Sequence, residues 1–212
     1  ILYVIGSVKA DFGVYKAVEF TGPVVKELSI SERMALCNMS TEMGCKAAYI
    51  QPDEVTFAYL KEHGITDYTV YETDPDYIYD ADLTYDVKQL TPQVAVPFSV
   101  DNVFPIVNEE GIPVNQAYLG SCTGGRTPDF AIAAKILKGK HIAEGTRMIL
   151  VPASKKVLEE CMEKGYIKTL LEAGATLTAP GCAACLGIHQ GLLAEGEACI
   201  SSTNRNFPGR MG

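Results

Sequence analysis

The sequence predicts an α/β protein with mainly parallel sheets, divided into two domains, 1–92 and 93–212. Three observations carry this prediction. In the second half, short apolar strand-like segments alternate with helical segments of about ten residues. Glycine and proline punctuate the joins. Loops carrying Gly and Cys follow directly after the apolar segments, where a parallel sheet places its ligand crevice.

The chain opens inside an apolar segment (Ile1-Leu-Tyr-Val-Ile5), without Met, and stops on Gly212 after a charged loop; it reads as a piece of a longer polypeptide. Ser29-Ile-Ser-Glu32 is a capping box, and Gly44 suits the position after a helix end, so a helix is predicted over 30–43. Asn38 and Glu42 then share a face. A strand is expected over 47–50, a helix from Asp53 to Gly64, and a strand at 68–72. The stretch 73–90 is acidic and tyrosine-rich. Pro92, Pro97, Pro105 and Pro113 make a poor region for helix, and the domain junction is placed there.

In the second half, 117–119 reads as a buried strand leading into Gly120-Ser-Cys122-Thr-Gly-Gly-Arg126. Thr127-Pro128 is an N-cap with Pro at the first helical position, opening a helix to Lys138. A strand at 148–151, a helix capped by Ser154 and closed by Gly165, and a shorter helix ended by Gly174 follow. A strand at 175–179 runs into Gly181-Cys-Ala-Ala-Cys-Leu-Gly187, and a last strand at 197–201 ends in Thr203-Asn-Arg-Asn-Phe-Pro-Gly-Arg210. Three loops would therefore face one crevice.

With 212 residues, 47% of them apolar, the chain can build one or two proper cores. A net charge of −8 and a pI near 4.9 argue against a nucleic-acid partner held by phosphate neutralisation. No apolar run approaches the roughly 20 residues of a membrane span, and no export signal is visible, so no membrane is expected and a cytoplasmic location is. Seven cysteines, an odd number in a long chain, point to reduced thiols rather than a disulfide framework.

Cys182 and Cys185 stand two residues apart, and Cys122 is a distant third. Three thiolates can hold three corners of a [4Fe–4S] cube and leave one iron without a protein ligand, an open position for Lewis-acid chemistry. The bland reading is ordinary cysteines in turns. Zinc is the rival metal, but a structural zinc site takes four protein ligands and no fourth is placed nearby. His189 is close in sequence and is expected on a helix after the loop. Cys37, Cys45, Cys161 and Cys199 fall within predicted helices or strands and are read as core thiols. The Cys122 loop lacks the Gly-Lys-Ser/Thr ending of a phosphate loop. Asn204, Arg205 and Arg210 crowd one short loop; two arginines there suit fork-like recognition of carboxylates, against the plainer reading of a solvated basic loop. Spacing alone gives Asn38 and Glu42 no special role.

Taken together, Gly-Ser-Cys122-Thr, Gly-Cys182-x-x-Cys185-Leu-Gly and Thr-Asn204-Arg-Asn-Phe-x-Gly-Arg210 resemble the aconitase superfamily, and within it the large subunits of isopropylmalate isomerase and homoaconitase. Glu19-Phe-Thr-Gly22, Arg33-Met-Ala-Leu-Cys-Asn38-Met-Ser-Thr-Glu42-Met-Gly and Gln51-Pro-Asp-Glu54 agree with it, so the resemblance covers essentially the whole chain.

The resemblance implies three-layer α/β/α domains and an iron–sulfur hydro-lyase that dehydrates a hydroxy di- or tricarboxylate and rehydrates the double bond. By the same likeness, Cys122, Cys182 and Cys185 would bind the cluster. Glu42 would act on the leaving hydroxyl, Asn38 and Asn204 would donate towards the cluster region, and Arg205 and Arg210 would hold substrate carboxylate. It also implies a small, swivelling-domain subunit that supplies the base and further arginines, and His–Asp pairs upstream, so this fragment alone would be inactive. Two departures stand out: Gly124 replaces the family's usual Asn, removing a polar contact expected near the cluster, and Ala183-Ala184 replaces the more frequent Gly-Pro or Ser-Met pairs, a change expected to be sterically tolerated. Isopropylmalate isomerisation in leucine biosynthesis is the leading reading, with homoaconitase or dimethylmalate or methylmalate dehydratase beside it. A non-catalytic aconitase-like binding protein and a ferredoxin-like carrier are the readings from other classes.

Overall fold

A computed structural model describes residues 1–211. Helix α1 (Leu2–Val8) buries Ile5 completely and leads through a turn into β1 (Ala17–Glu19). Two helices follow, α2 (Pro23–Glu27) and α3 (Ile30–Met39), the latter extended by a 3₁₀ turn, Ser40–Met43. Strand β2 (Ala47–Tyr49) then pairs with β1 in parallel, Ala17 opposite Ala47. The predicted capping box is present: Ser29 Oγ accepts from the Glu32 amide, and the Glu32 carboxylate accepts from the Ser29 amide at 2.8 Å. Gly44 closes the 3₁₀ turn in the left-handed region (φ 85°).

Helix α4 (Glu54–Glu62) begins at Asp53, whose carboxylate caps the amides of Val55 and Thr56. That carboxylate also takes Arg33 in a two-pronged pair at 2.6 and 2.8 Å. The Arg33 side chain is 4% exposed, and its remaining donors reach the carbonyls of Leu28 and Lys26. One buried guanidinium thus ties α3 to the start of α4 and to the end of α2.

The strand expected at 68–72 is absent. Residues 65–92 carry no helix or strand and run as a strap over the first half. The segment adds no third strand to the β1–β2 pair, and side chains hold it instead. Tyr68 stacks on Phe57, Tyr49 donates its hydroxyl to the Tyr71 carbonyl, and Thr73 and Tyr79 donate to the Glu19 carboxylate. Tyr85 packs edge-on against Tyr3 of α1. The proline-marked stretch in turn contains an unforeseen antiparallel hairpin, β3 (Gln93–Ala95) with β4 (Val103–Pro105), which packs on α1. Its turn buries Val100 in one core with Ile5, Met39, Met43 and Cys45.

The second half is a four-stranded parallel sheet. Strand β5 (Gln116–Gly120) runs into the short helix α5 (Ser121–Gly124) and then α6 (Thr127–Leu137). Next come β6 (Arg147–Val151), α7 (Lys155–Glu163), α8 (Tyr166–Glu172), β7 (Thr176–Leu177) and finally β8 (Cys199–Ser201). The order is β7-β6-β5-β8. The predicted cap of α6 is displaced: Arg126 occupies the N-cap position and the Asp129 carboxylate accepts from its amide. Thr127 instead donates to Glu160 of α7 at 2.6 Å.

A parallel sheet needs cover on both faces. Phe130, Ala134, Cys161, Ile167 and Leu170 from the three long helices pack with Leu150 in one core cluster. Tyr118, Ile149 and Val151 form another, and there the cover comes from Ala183, Ala184 and Cys185, in the cysteine loop itself. Among the described residues no helix is long and apolar enough to cross a membrane.

Replacing Arg33 with Ala is expected to lower stability by about 2–3 kcal/mol, the lower range for a broken buried pair because Asp53 is partly exposed. The Arg33 bonds hold the Asp53 carboxyl below its ordinary value. That contribution is present above the usual carboxylate range and disappears as pH falls through the folded pKa. The difference between wild type and Arg33→Ala in urea denaturation should therefore narrow at acidic pH.

Candidate metal centre and substrate site

The strand order makes the site. From β5 the chain builds outward through β6 to β7, then returns to place β8 on the other side of β5. The gap beyond the carboxyl ends of β5 and β8 is a topological switch point, where open α/β sheets bind ligands. Ser202 fastens this end: its amide donates to the Tyr118 carbonyl, its hydroxyl accepts from the Gly120 amide at 3.0 Å and donates to the Gly124 carbonyl at 2.9 Å.

Cys122 lies in α5, immediately after β5, and is exposed. Ser121 before it is fully buried in the left-handed region (φ 64°), a strained conformation for a residue with a side chain. Gly124 is dictated by packing. A β-carbon there would lie 2.2 Å from the Ser202 carbonyl oxygen, so position 124 faces β8. The contact assumed from the family's Asn at this place has no room in this backbone.

Cys182 stands at the N-cap of a 3₁₀ turn, Ala183–Leu186, and Cys185 lies within it, with Cys182 exposed and Cys185 buried. Strand β7 is shorter than expected, but the chain keeps tracking β6 through hydrogen bonds from the Thr178 amide to Leu150 and the Gly181 amide to Pro152. Tyr118 donates its hydroxyl to the Cys182 carbonyl at 2.7 Å, tying this loop to β5; burial pushes that phenol's pKa well up, keeping it a donor. His189 is exposed in a bend with φ 68°, not on a helix.

The first half reaches both cysteine loops through one helix. Asn38 Nδ2 donates to Cys122 Sγ at 3.1 Å and to Thr123 Oγ1 at 3.2 Å. Glu42, 6% exposed, accepts from Asn204 Nδ2 at 2.5 Å and from Arg205 Nε at 2.8 Å, both on the same oxygen. Cys185 Sγ in turn donates to Asn204 Oδ1 at 3.7 Å. Glu42, Asn204, Arg205 and Cys185 are thus linked directly, and Asn38 links Cys122 from one helical turn earlier. Arg210 sits at the far end of the loop, its carbonyl 3.1 Å from where a β-carbon on Gly187 would stand.

Among the described residues, no group of three or more His, Cys, Asp or Glu side chains comes close enough to enclose a metal ion. The donor set nevertheless fits an iron–sulfur cluster better than zinc. It offers three thiols on glycine-framed loops, with the Asn38 amide donating to the Cys122 sulfur. A further observation agrees. The buried side-chain polar atoms lacking a hydrogen bond are Ser121 Oγ, Asn206 Oδ1 and Arg210 Nε, all in the loops that frame this crevice. Buried polar atoms are normally satisfied, so orphans in these loops are groups that a bound partner would complete. Burial raises the pKa of Cys37, Cys45 and Cys199, and that of Cys161 to about 11.

A cavity of about 600 Å³ lies elsewhere, beside Gly22, Lys26, Gln51 and Asp53. Arg33 lines it, but its guanidinium is fully engaged with Asp53 and two carbonyls. Sequence reasoning did not single out Tyr118, Thr123 or Ser202. All three act through backbone or single hydrogen bonds, which leave no motif.

Glu42→Ala strands a buried amide and an arginine and should destabilise the chain by about 1–3 kcal/mol. Glu42→Gln keeps an oxygen for both donors and should lose less than half of that. Urea denaturation of the two variants separates the cases.

The chain was compared with known proteins. The model of the aconitase family (aconitate hydratase) matches residues 1–212. The 3-isopropylmalate dehydratase large subunit 1 of Methanopyrus kandleri is 48% identical over 212 residues, all of this chain and 51% of the relative. The probable methanogen homoaconitase large subunit of Methanosarcina mazei is 47% identical over 211 residues, 100% of this chain and 54% of the relative. The 2,3-dimethylmalate dehydratase large subunit of Eubacterium barkeri is 44% identical over 213 residues, 100% and 51% of the two. The chain spans about half the length of these curated relatives. A family model matched over every residue, with the cysteine and arginine loops meeting at one crevice, leads to a single conclusion: this chain belongs to the aconitase family.

Proposed function

We propose that this chain is the cluster-bearing part of a hydro-lyase large subunit that interconverts 2-isopropylmalate and 3-isopropylmalate by dehydration and rehydration, in leucine biosynthesis. The observation that carries the reading is the hydrogen-bonded path from Glu42 through Asn204 to Cys185, with Arg205 on the same carboxylate. It sets a proton-exchanging acid, a carboxylate-binding fork and a thiol side by side. The relatives named for isopropylmalate, homoaconitate and dimethylmalate chemistry differ by only a few per cent in identity, so the shared substrate class is a hydroxy di- or tricarboxylate.

Cys122, Cys182 and Cys185 would hold a [4Fe–4S] cluster. When bound with one iron lacking a protein ligand, such a cluster supplies a Lewis acid that makes hydroxide a feasible leaving group. The chain's own residues do the rest of what this half can do. Arg205 meets Glu42 through Nε, leaving its two terminal nitrogens to grip a carboxylate. Arg210 brings a second guanidinium with an unpaired buried Nε. Glu42 holds or gives the proton that accompanies the departing hydroxyl, and Asn204 fixes the orientation of its carboxylate. Asn38 donates to Cys122 Sγ and so helps to orient that side chain. The base that removes the substrate's carbon-bound proton would come from a small partner subunit, as the relatives' large-subunit names suggest. A cytoplasmic location goes with this reading.

Anaerobic reconstitution with iron and sulfide should load about four irons per chain, and mild oxidation should release one to give a three-iron paramagnetic signal. Replacing Cys122, Cys182 or Cys185 with Ala should abolish loading, whereas Cys161→Ala should not. Failure to load a cluster, or stable binding of one zinc instead, would overturn the reading and favour a non-catalytic binding protein. With its small subunit, the loaded protein should prefer 3-isopropylmalate over longer tricarboxylates and 2,3-dimethylmalate.

A further inference from the structure

We propose that Asn206 is a positioning residue for the arginine loop, seating it against the turn of hairpin β3–β4. The inference rests on the reading of Arg205 and Arg210 as carboxylate-binding groups. Asn206 directly follows Arg205, and its Nδ2 lies 2.9 Å from the Val96 carbonyl, 3.1 Å from that of Ala95 and 3.3 Å from that of Ser99. All three partners are acceptors. Only the amide nitrogen can face them, which fixes the side chain's orientation without ambiguity.

The hairpin turn is a firm seat. Within it the Val96 amide bonds to the Asn102 carbonyl at 2.9 Å and the Asn102 amide to that of Ser99 at 3.1 Å. Asp101 accepts from the Ala10 amide at 3.1 Å, fixing the turn to the end of α1. Val100, 2% exposed, packs in the core that holds Met39 and Met43, the residues bracketing Glu42 in sequence. Asn206 therefore attaches the loop to the same rigid core that carries Glu42.

Asn206 adds a mooring of a different kind to those that Asn204 and Arg205 make on Glu42. It ties the loop to the hairpin and spends nothing of the arginine, so it persists when a carboxylate takes the terminal nitrogens of Arg205. Moorings on Glu42 alone would let the loop pivot about that carboxylate; the anchor on the hairpin holds the fork in place before the substrate arrives. Pre-organisation of this kind is read as affinity for substrate rather than as chemistry.

The test uses the full-length large subunit with its small subunit and 3-isopropylmalate as probe. Asn206→Ala is expected to raise KM by about tenfold, to change kcat by less than about threefold, and to leave iron content unchanged. Asn206→Asp keeps the shape but turns an oxygen towards three carbonyls. It should lose more than Ala at neutral pH, and recover towards Ala as pH falls and the acid gains a proton to donate. Hydrogen exchange of the amides in 203–210 should quicken in both variants, most in Asn206→Asp. Asn206→Asp behaving like wild type, a fall in kcat without a rise in KM, or unchanged exchange in 203–210 would overturn the proposal. If Asn206→Asp does not fold, the KM–kcat split of Asn206→Ala decides alone. A wild-type assembly that turns over no hydroxy acid would sink the proposed function instead, and the exchange comparison would still decide whether Asn206 seats the loop.

Discussion

The buried carboxylate of Glu42 is the constraint on which the rest of this site depends. A charge in the interior must be paired and hydrogen-bonded or its desolvation is not recovered. Glu42 finds Asn204 and Arg205, more than 160 residues away in sequence. Satisfying one acid therefore pins the arginine loop to helix α3, and through Asn204 it also places a partner on the Cys185 thiol. Asn38, a turn earlier on the same helix, reaches the other cysteine loop. One helix and its 3₁₀ extension thus set the distance between two loops from a different sheet.

A second constraint couples the site to the core. The sheet face bearing Tyr118, Ile149 and Val151 has no long helix in its apolar cluster; Ala183, Ala184 and Cys185 fill that place. The small side chains at 183 and 184 serve close packing on the strands as much as access to the thiols. The strained backbone at Ser121 and the left-handed Ala183 (φ 45°) sit at the two cysteine loops. Such strain persists only where surrounding packing over-determines it, and here the same packing is the second face of the sheet.

What could be read from the sequence was local. The capping box at Ser29, the Asp53 and Ser154 caps and the left-handed Gly165 depend on a few adjacent residues, and they lie where the pattern put them. Residues 68–72 read as a strand but join neither β1 nor β2; side-chain contacts such as Tyr68 on Phe57 hold them, so tertiary context overrode local propensity. Hairpin β3–β4 was hidden because its prolines argued against regular structure, although Pro105 ends an edge strand, where proline is tolerated. The cysteine and arginine loops were legible as motifs because their chemistry is dense over short spans. Asn38 and Glu42 gained a role only by resemblance, since a helical spacing of four says nothing about a partner in another sheet.

The chain's negative charge is unevenly distributed. The net charge is −8, yet residues 66–92 alone hold Asp67, Glu72, Asp74, Asp76, Asp80, Asp82 and Asp86 against a single Lys88. Most of the excess is thus concentrated on the strap, which packs on Glu19 and α1. Exposed charges act over a Debye length of about 8 Å at physiological ionic strength, so the field of such a strap is short-ranged. At the site the groups are mainly donors, Asn38, Asn204, Arg205 and Arg210, with Glu42 the one acid in their hydrogen-bond network. Glu42 meets Arg205 through Nε and Asn204 through Nδ2 on one and the same oxygen, so it does not merely neutralise that arginine: it aims the guanidinium from its inner edge and leaves the terminal nitrogens outside the pair.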